Sequence, residues 1–226
     1  MFDRIKKAFQ RDARPAPDSL LAQAQGPVSE WAASRGMSFS GGPLGSSMSV
    51  QGKVGGKPWR IELGRPSRDY IHGEELRARA ELGVNEEVGA MVINRPLKEV
   101  LERRAYGMIT NNLQTTADAR LPEEMRWLAM YDEIGWEGPP DSFWSRYAVL
   151  ADSRESALAW VGTPLVQQLQ AWPEPAPSAE VAFMIVLLRG KCYLRMQYLP
   201  AETTTLDHAT DVFTCACESA LSAFRR

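Results

Sequence analysis

The segment GRPSRDYIHG concentrates the side chains best suited to hold an anion: Arg65, Ser67, Arg68, Tyr70 and His72 lie within eight residues. Two guanidiniums at that spacing present paired N–H donors that match a phosphate or carboxylate. A hydroxyl, a phenol and an imidazole stand beside them. The loop is therefore expected to bind a ligand or partner, and a second reading has its arginines meeting Asp69, Glu74 and Glu75. The glycine- and serine-rich stretch SFSGGPLGSS, residues 38–47, lacks the GxxxxGK[ST] pattern and its lysine, so it reads as a connector or a lid over that loop.

Large amphipathic groups are the other notable supply: Trp59, Tyr70, Trp127, Tyr131, Trp136, Phe143, Trp144 and Tyr147. If several share an exposed groove, they suit protein or peptide recognition. Trp136 and Trp144 join the loop residues as expected partner-binding positions.

Other chemistries are poorly supplied. Cys215 and Cys217 fall in an expected helix, where side chains two residues apart diverge by about 200° and do not grip one ion. Cys192, His72 and His208 complete the supply of soft and imidazole ligands, far from a zinc spacing, so neither metal nor cofactor is expected. A hydrolase needs a nucleophile, a base and an oxyanion stabiliser; no GxSxG, HExxH or dinucleotide fingerprint marks them. Catalysis is not the leading expectation.

Lys+Arg 26 against Asp+Glu 28 leaves a formal net charge of -2, with no general drive towards nucleic acid. Three cysteines without a framework spacing suggest a reducing compartment. Met1–Gln10 is charged and lacks an apolar signal core, so a cytoplasmic location is the default expectation. In that segment Phe2, Ile5 and Phe9 share one helical face among basic residues, which suits contact with an anionic membrane surface or a partner groove.

The positioning elements centre on VAFMIVLLRGKCYLRMQYL, residues 181–199. A continuous apolar run, a turn at Arg189-Gly190 and a partly alternating run predict a buried strand hairpinned to a more exposed one. Residues 48–54 and 57–63 predict a first hairpin across Gly55-Gly56. Residues 75–81 have helix-forming composition, but Leu76, Ala78, Ala80 and Leu82 alternate strictly with charged residues, which predicts a strand. GAMVIN (89–94) predicts another strand, and Pro96 opens a helix to about Arg104. Helices are also expected from Leu20 to Arg35, after Pro122, before and after Gly162, and from about Thr205 to the C-terminus. Phe143–Ala151 reads as a strand throughout.

The expected class is α+β, an antiparallel β-sheet with helices packed on one face. Its organisation is an N-terminal segment and linker (1–17) followed by two α+β halves, 18–135 and 136–226, that pack together and share a hairpin-then-helix order. The leading functional expectation is a non-enzymatic cytoplasmic binding or adaptor protein for a protein or peptide, with a homodimer as one form. The alternatives are an enzyme or small-molecule binder for an anionic, phosphorylated ligand near Arg65–His72, and peripheral membrane association through Met1–Gln10.

Overall fold

The computed structural model describes residues 20–42, 47–112 and 123–225. The N-terminal segment, the middle of the glycine-serine stretch and most of the 106–120 region lie outside the described residues. A single antiparallel sheet of nine strands organises the rest, in the order β1-β2-β3-β4-β9-β8-β5-β7-β6. The strands are β1 (Ser38–Gly41), β2 (Ser47–Val54), β3 (Lys57–Gly64), β4 (Glu75–Glu81), β5 (Gly89–Asn94), β6 (Asp132–Glu133), β7 (Tyr147–Ala151), β8 (Phe183–Leu188) and β9 (Lys191–Gln197). The helices are α1 (Leu20–Ser34), α2 (Arg95–Asn112), α3 (Glu123–Met130), α4 (Asp141–Arg146), α5 (Arg154–Trp160), α6 (Thr163–Gln170) and α7 (Thr203–Ala223).

The expected α+β class is what the structure shows. One face of the sheet is roofed by α1 and α4–α7, whose Val28, Phe143, Trp160, Leu169 and Phe213 are fully buried against Ile61, Leu76, Val92, Ile185 and Leu194. Strict alternation in each strand sends the intervening residues to the other face. There α2 and α3 cover only the β8-β5-β7 end, where Met91, Ile93, Ala148, Leu150, Met184 and Val186 meet Leu97, Leu101 and Met125. This second, partial roof is absent from the sequence-based picture.

The β8–β9 hairpin sits at the middle of the sheet. Its two-residue turn has Arg189 at φ 50° and Gly190 at φ 69°, the paired left-handed geometry that matches strand twist. A Cβ on Gly190 would lie 2.9 Å from the Val84 carbonyl oxygen, so the site is closed to larger residues. The turn fixes Leu188 opposite Lys191, and every later pair follows from that register. β4 pairs with β9 and β5 with β8, so residues on both sides of 135/136 alternate within one sheet.

Several local expectations are corrected. Asp141–Arg146 is helical, following Pro140 at its N-cap, and the strand starts only at Tyr147. Pro140 supplies the extended N-cap backbone, and Asp141 in the first turn and Arg146 in the last complement the helix dipole, so a short helix wins over aromatic β-propensity. Ser38–Gly41 forms an edge strand instead of a connector, and α2 continues beyond Arg104. Ser153 caps α5 through its hydroxyl as expected, while α6 has Gly162 at its N-cap in place of Thr163.

Candidate functional site

On the partly roofed face, β3, β4 and β9 carry a ladder of charged side chains. Arg60 stands opposite Arg79, and Arg79 opposite Tyr193; in the next row Glu62 stands opposite Arg77, and Arg77 opposite Arg195. Like charges directly opposite one another disfavour strand pairing. Two such pairs side by side concentrate positive potential that the sheet itself does not need. Glu62 is divided between Arg60 at 2.9 Å and Arg77 at 3.3 Å. Glu81 bonds Arg79 and lies 3.5 Å from Lys191. The Arg79 guanidinium also sits 5.8 Å from the Tyr193 ring centroid, a cation–π contact.

One end of the ladder is closed by a buried ionic network. Glu75 is fully buried and accepts from the Ser67 amide at 2.6 Å and the Ser67 hydroxyl at 3.2 Å, while Arg195 Nε lies 3.0 Å away. Glu124, on the first turn of α3, is 3 % exposed. Its Oε1 accepts from Arg68 Nε at 2.7 Å, from the Tyr70 hydroxyl at 3.2 Å and from Arg195. Burial alone would lower the Arg68 pKa, but the charge and hydrogen bond of Glu124 outweigh it and the net shift is upward. Burial, reinforced by Glu124, pushes the Tyr70 phenol well above its usual range. Arg195 thus ties sheet, loop and helix together.

Between ladder and network runs a groove of about 790 Å³. Arg60, Arg68, Arg77, Arg79 and Arg195 line it together with Glu62, Glu81 and Glu124. Its other wall is apolar: Trp127 of α3, with Met184 and Val186 of β8. Three buried atoms of this lining have no hydrogen-bond partner among the described residues: Glu124 Oε2, Arg77 Nε and Trp59 Nε1.

The residues singled out in the sequence are dispersed around this groove. Arg68 lines it; Ser67 and Tyr70 stand behind it, bound to Glu75 and Glu124. Arg65 and His72 are exposed, and Asp69 pairs with Arg104 at 2.8 Å. Trp136 and Trp144 meet edge-to-face, 4.9 Å between centroids, against the core of the fully roofed face, and so do not join Arg68. None of the eight aromatics named above is exposed; Trp59, Tyr70, Phe143 and Tyr147 are buried. His208 lies on α7 with Nε2 2.8 Å from the Gln168 carbonyl oxygen, and Cys192 and Cys217 are buried in the core. Among the described residues no group of three or more His, Cys, Asp or Glu is placed to hold a metal ion. No helix among them is long and apolar enough to cross a membrane.

Sequence reasoning missed Arg60, Arg77, Arg79, Arg195 and Glu124 as site residues, while Trp59 and Trp127, named among the aromatics, do line the groove. The signal was present as arginines on the polar phase of three alternating strands, RIE, RAR and YLR. What was lacking was the pairing of β4 with β9, which brings residue 77 opposite residue 195.

No protein-family model matches the chain, and no curated protein matches it. Among solved structures it is similar to the mycobacterial trehalose monomycolate transport factor A, at 12% identity and a TM-score of 0.47, over 87% of this chain and 94% of that one. At this identity and score the likeness assigns no ligand or role to this chain. The cytoplasmic expectation is withdrawn beside a similar structure named for trehalose monomycolate transport, and no other location is assigned in its place.

Proposed function

We propose that this chain is a non-catalytic binding protein that takes an anionic amphiphile into the groove over β3, β4, β9 and β8. One observation carries this reading: arginines packed opposite one another share a single cavity with an apolar wall of Trp127, Met184 and Val186. An anionic headgroup relieves the repulsion between paired guanidiniums and gains charge-assisted hydrogen bonds. An alkyl chain covers the part of Trp127 still open to water, at about 25 cal/mol per Å² removed, above a floor of Met184 and Val186 that is already buried. The volume lies within the roughly 300–1,000 Å³ usual for small-molecule sites. Arg68 contributes from the loop first expected to bind an anion, while Arg65 and His72 stay outside. Binding without catalysis is supported by the placement of the histidines and buried thiols away from the groove. A peptide anchored by exposed aromatics is less well supported, because those aromatics are buried or half-buried.

The test is a calorimetric titration with dodecyl phosphate below its micellar concentration, with inorganic phosphate and dodecyl maltoside as controls. Dodecyl phosphate is expected to bind at least about tenfold more tightly than either control, since each lacks one half of the recognised chemistry. The double variant Arg77→Gln/Arg79→Gln loses that preference while keeping the wild-type melting temperature within a few degrees. Absence of saturable binding, or equal binding by the folded variant, overturns the reading.

A further inference from the structure

Resting on the amphiphile reading of the groove, we infer that the ligand carries a hydrogen-bond donor, a hydroxyl or an amine, beside its anionic group, and that Glu124 selects it. Glu124 is 3 % exposed and lines the groove. All three of its described donors, Arg68, Tyr70 and Arg195, converge on Oε1. Oε2 has none among the described residues. A buried carboxylate oxygen left in that state is uncommon and costly. A ligand donor repairs it.

The second orphan is of opposite sense. Arg77 Nε is a donor without an acceptor, and Arg77 stands opposite Arg195, the residue that bonds Glu124. The acceptor and the donor belong to two groove-lining residues that are each neighbours of Arg195. A bare phosphate satisfies Arg77 but repels Glu124. A phosphate with a neighbouring hydroxyl or ammonium satisfies both, and an ammonium also gains the charge of the carboxylate. Glu124 is thus a specificity residue: the arginines hold the anion, and the carboxylate reads what is attached to it.

Three probes share one tail and one phosphodiester: dodecyl phosphocholine, dodecyl phosphoethanolamine and dodecyl phosphoglycerol. The choline head has no N–H or O–H donor; the ethanolamine head donates as an ammonium and the glycerol head as hydroxyls. Each is titrated into the full chain below its micellar concentration. One or both donor heads are expected to bind at least about tenfold more tightly than choline, and whichever is tighter distinguishes ammonium from hydroxyl. Glu124→Gln narrows that gap to about twofold or less. All three heads within about twofold of each other in the wild type overturn the inference while dodecyl phosphate binding keeps the groove reading intact. A gap that persists in folded Glu124→Gln overturns the assignment to Glu124. Failure of all three and of dodecyl phosphate removes both readings. Should Glu124→Gln fail to fold, Glu124→Asp, which keeps the charge but withdraws the carboxylate by one methylene, is titrated instead: the gap is expected to narrow, and a full wild-type gap overturns the assignment.

Discussion

One face of a single sheet is finished in two ways, and the β8–β9 hairpin is the seam. On the β8-β5-β7 side, Met184, Val186, Met91, Ile93 and Leu150 lie under α2 and α3. On the β3-β4-β9 side, the same phase of the same sheet carries Arg60, Glu62, Arg77, Arg79 and Arg195, which line an open groove. Across the seam Met184 is opposite Arg195 and Val186 is opposite Tyr193. Backbone geometry does not distinguish the two sides. The difference teaches that helix cover decides which face positions must be apolar, and that charge crowded where cover stops marks a surface kept for something else.

Breaking the seam has the largest expected effect. Arg195→Met leaves Glu75 and Glu124 buried with fewer cationic partners and is expected to cost about 3–5 kcal/mol in urea unfolding. A loss under about 1 kcal/mol would show that the network does not join the two sides. Alkaline titration comes next. The folded pKa values of Tyr70 and Tyr198 are raised, first by burial and then by Glu124 and Glu202 respectively. Their contribution is therefore complete below the unfolded phenol value of about 10 and is lost as pH rises through the folded values. Melting temperatures should fall steadily above about pH 10, less steeply in Tyr70→Phe, with tyrosinate absorbance as the check.

On the covered side, Ile93→Val is expected to cost about 0.5–1.5 kcal/mol, because Ile93 is fully buried beneath α2. On the open side, Arg79→Gln should leave the unfolding free energy nearly unchanged, since its half-exposed pair with Glu81 is screened by water. Equal costs from these two changes, measured in the same denaturant series, would erase the distinction between the sides. The smallest effect sharpens it. Glu62→Gln should leave stability within about 0.5 kcal/mol yet strengthen dodecyl phosphate binding a few-fold, because Arg60 and Arg77 lose a competing carboxylate.

Much of the scaffold was legible because it is written in local alternation. LRARA overrode its own helix-forming composition through a period of two, and β4 is the strand that pattern demanded. The turn at Arg189-Gly190 likewise announced the hairpin from its neighbours. The groove was not legible in the same way. Its floor depends on β9 returning beside β4 and on α3 presenting Glu124, and nothing within ten residues of Arg77 encodes either event. Residues 65–72 attracted attention because their chemistry is clustered in sequence; Arg60, Arg77 and Arg195 form their cluster only across strands. The misread of Phe143–Ala151 has a local cause, since Pro140 began a helix where aromatic residues suggested extension.

The sheet's order also has a consequence for synthesis. Strands β1–β4 and β5–β7 are complete by residue 151, yet they share no hydrogen-bonded neighbour until β8 and β9 arrive as a zipper from Phe183 to Gln197. Until then the nascent chain carries two raw sheet margins, along β4 and β5, each able to recruit a foreign strand. Ribosomal pausing or a premature stop before Phe183 would thus yield a sticky fragment with two half-built sheets, and the hairpin from Phe183 to Gln197 is what seals them.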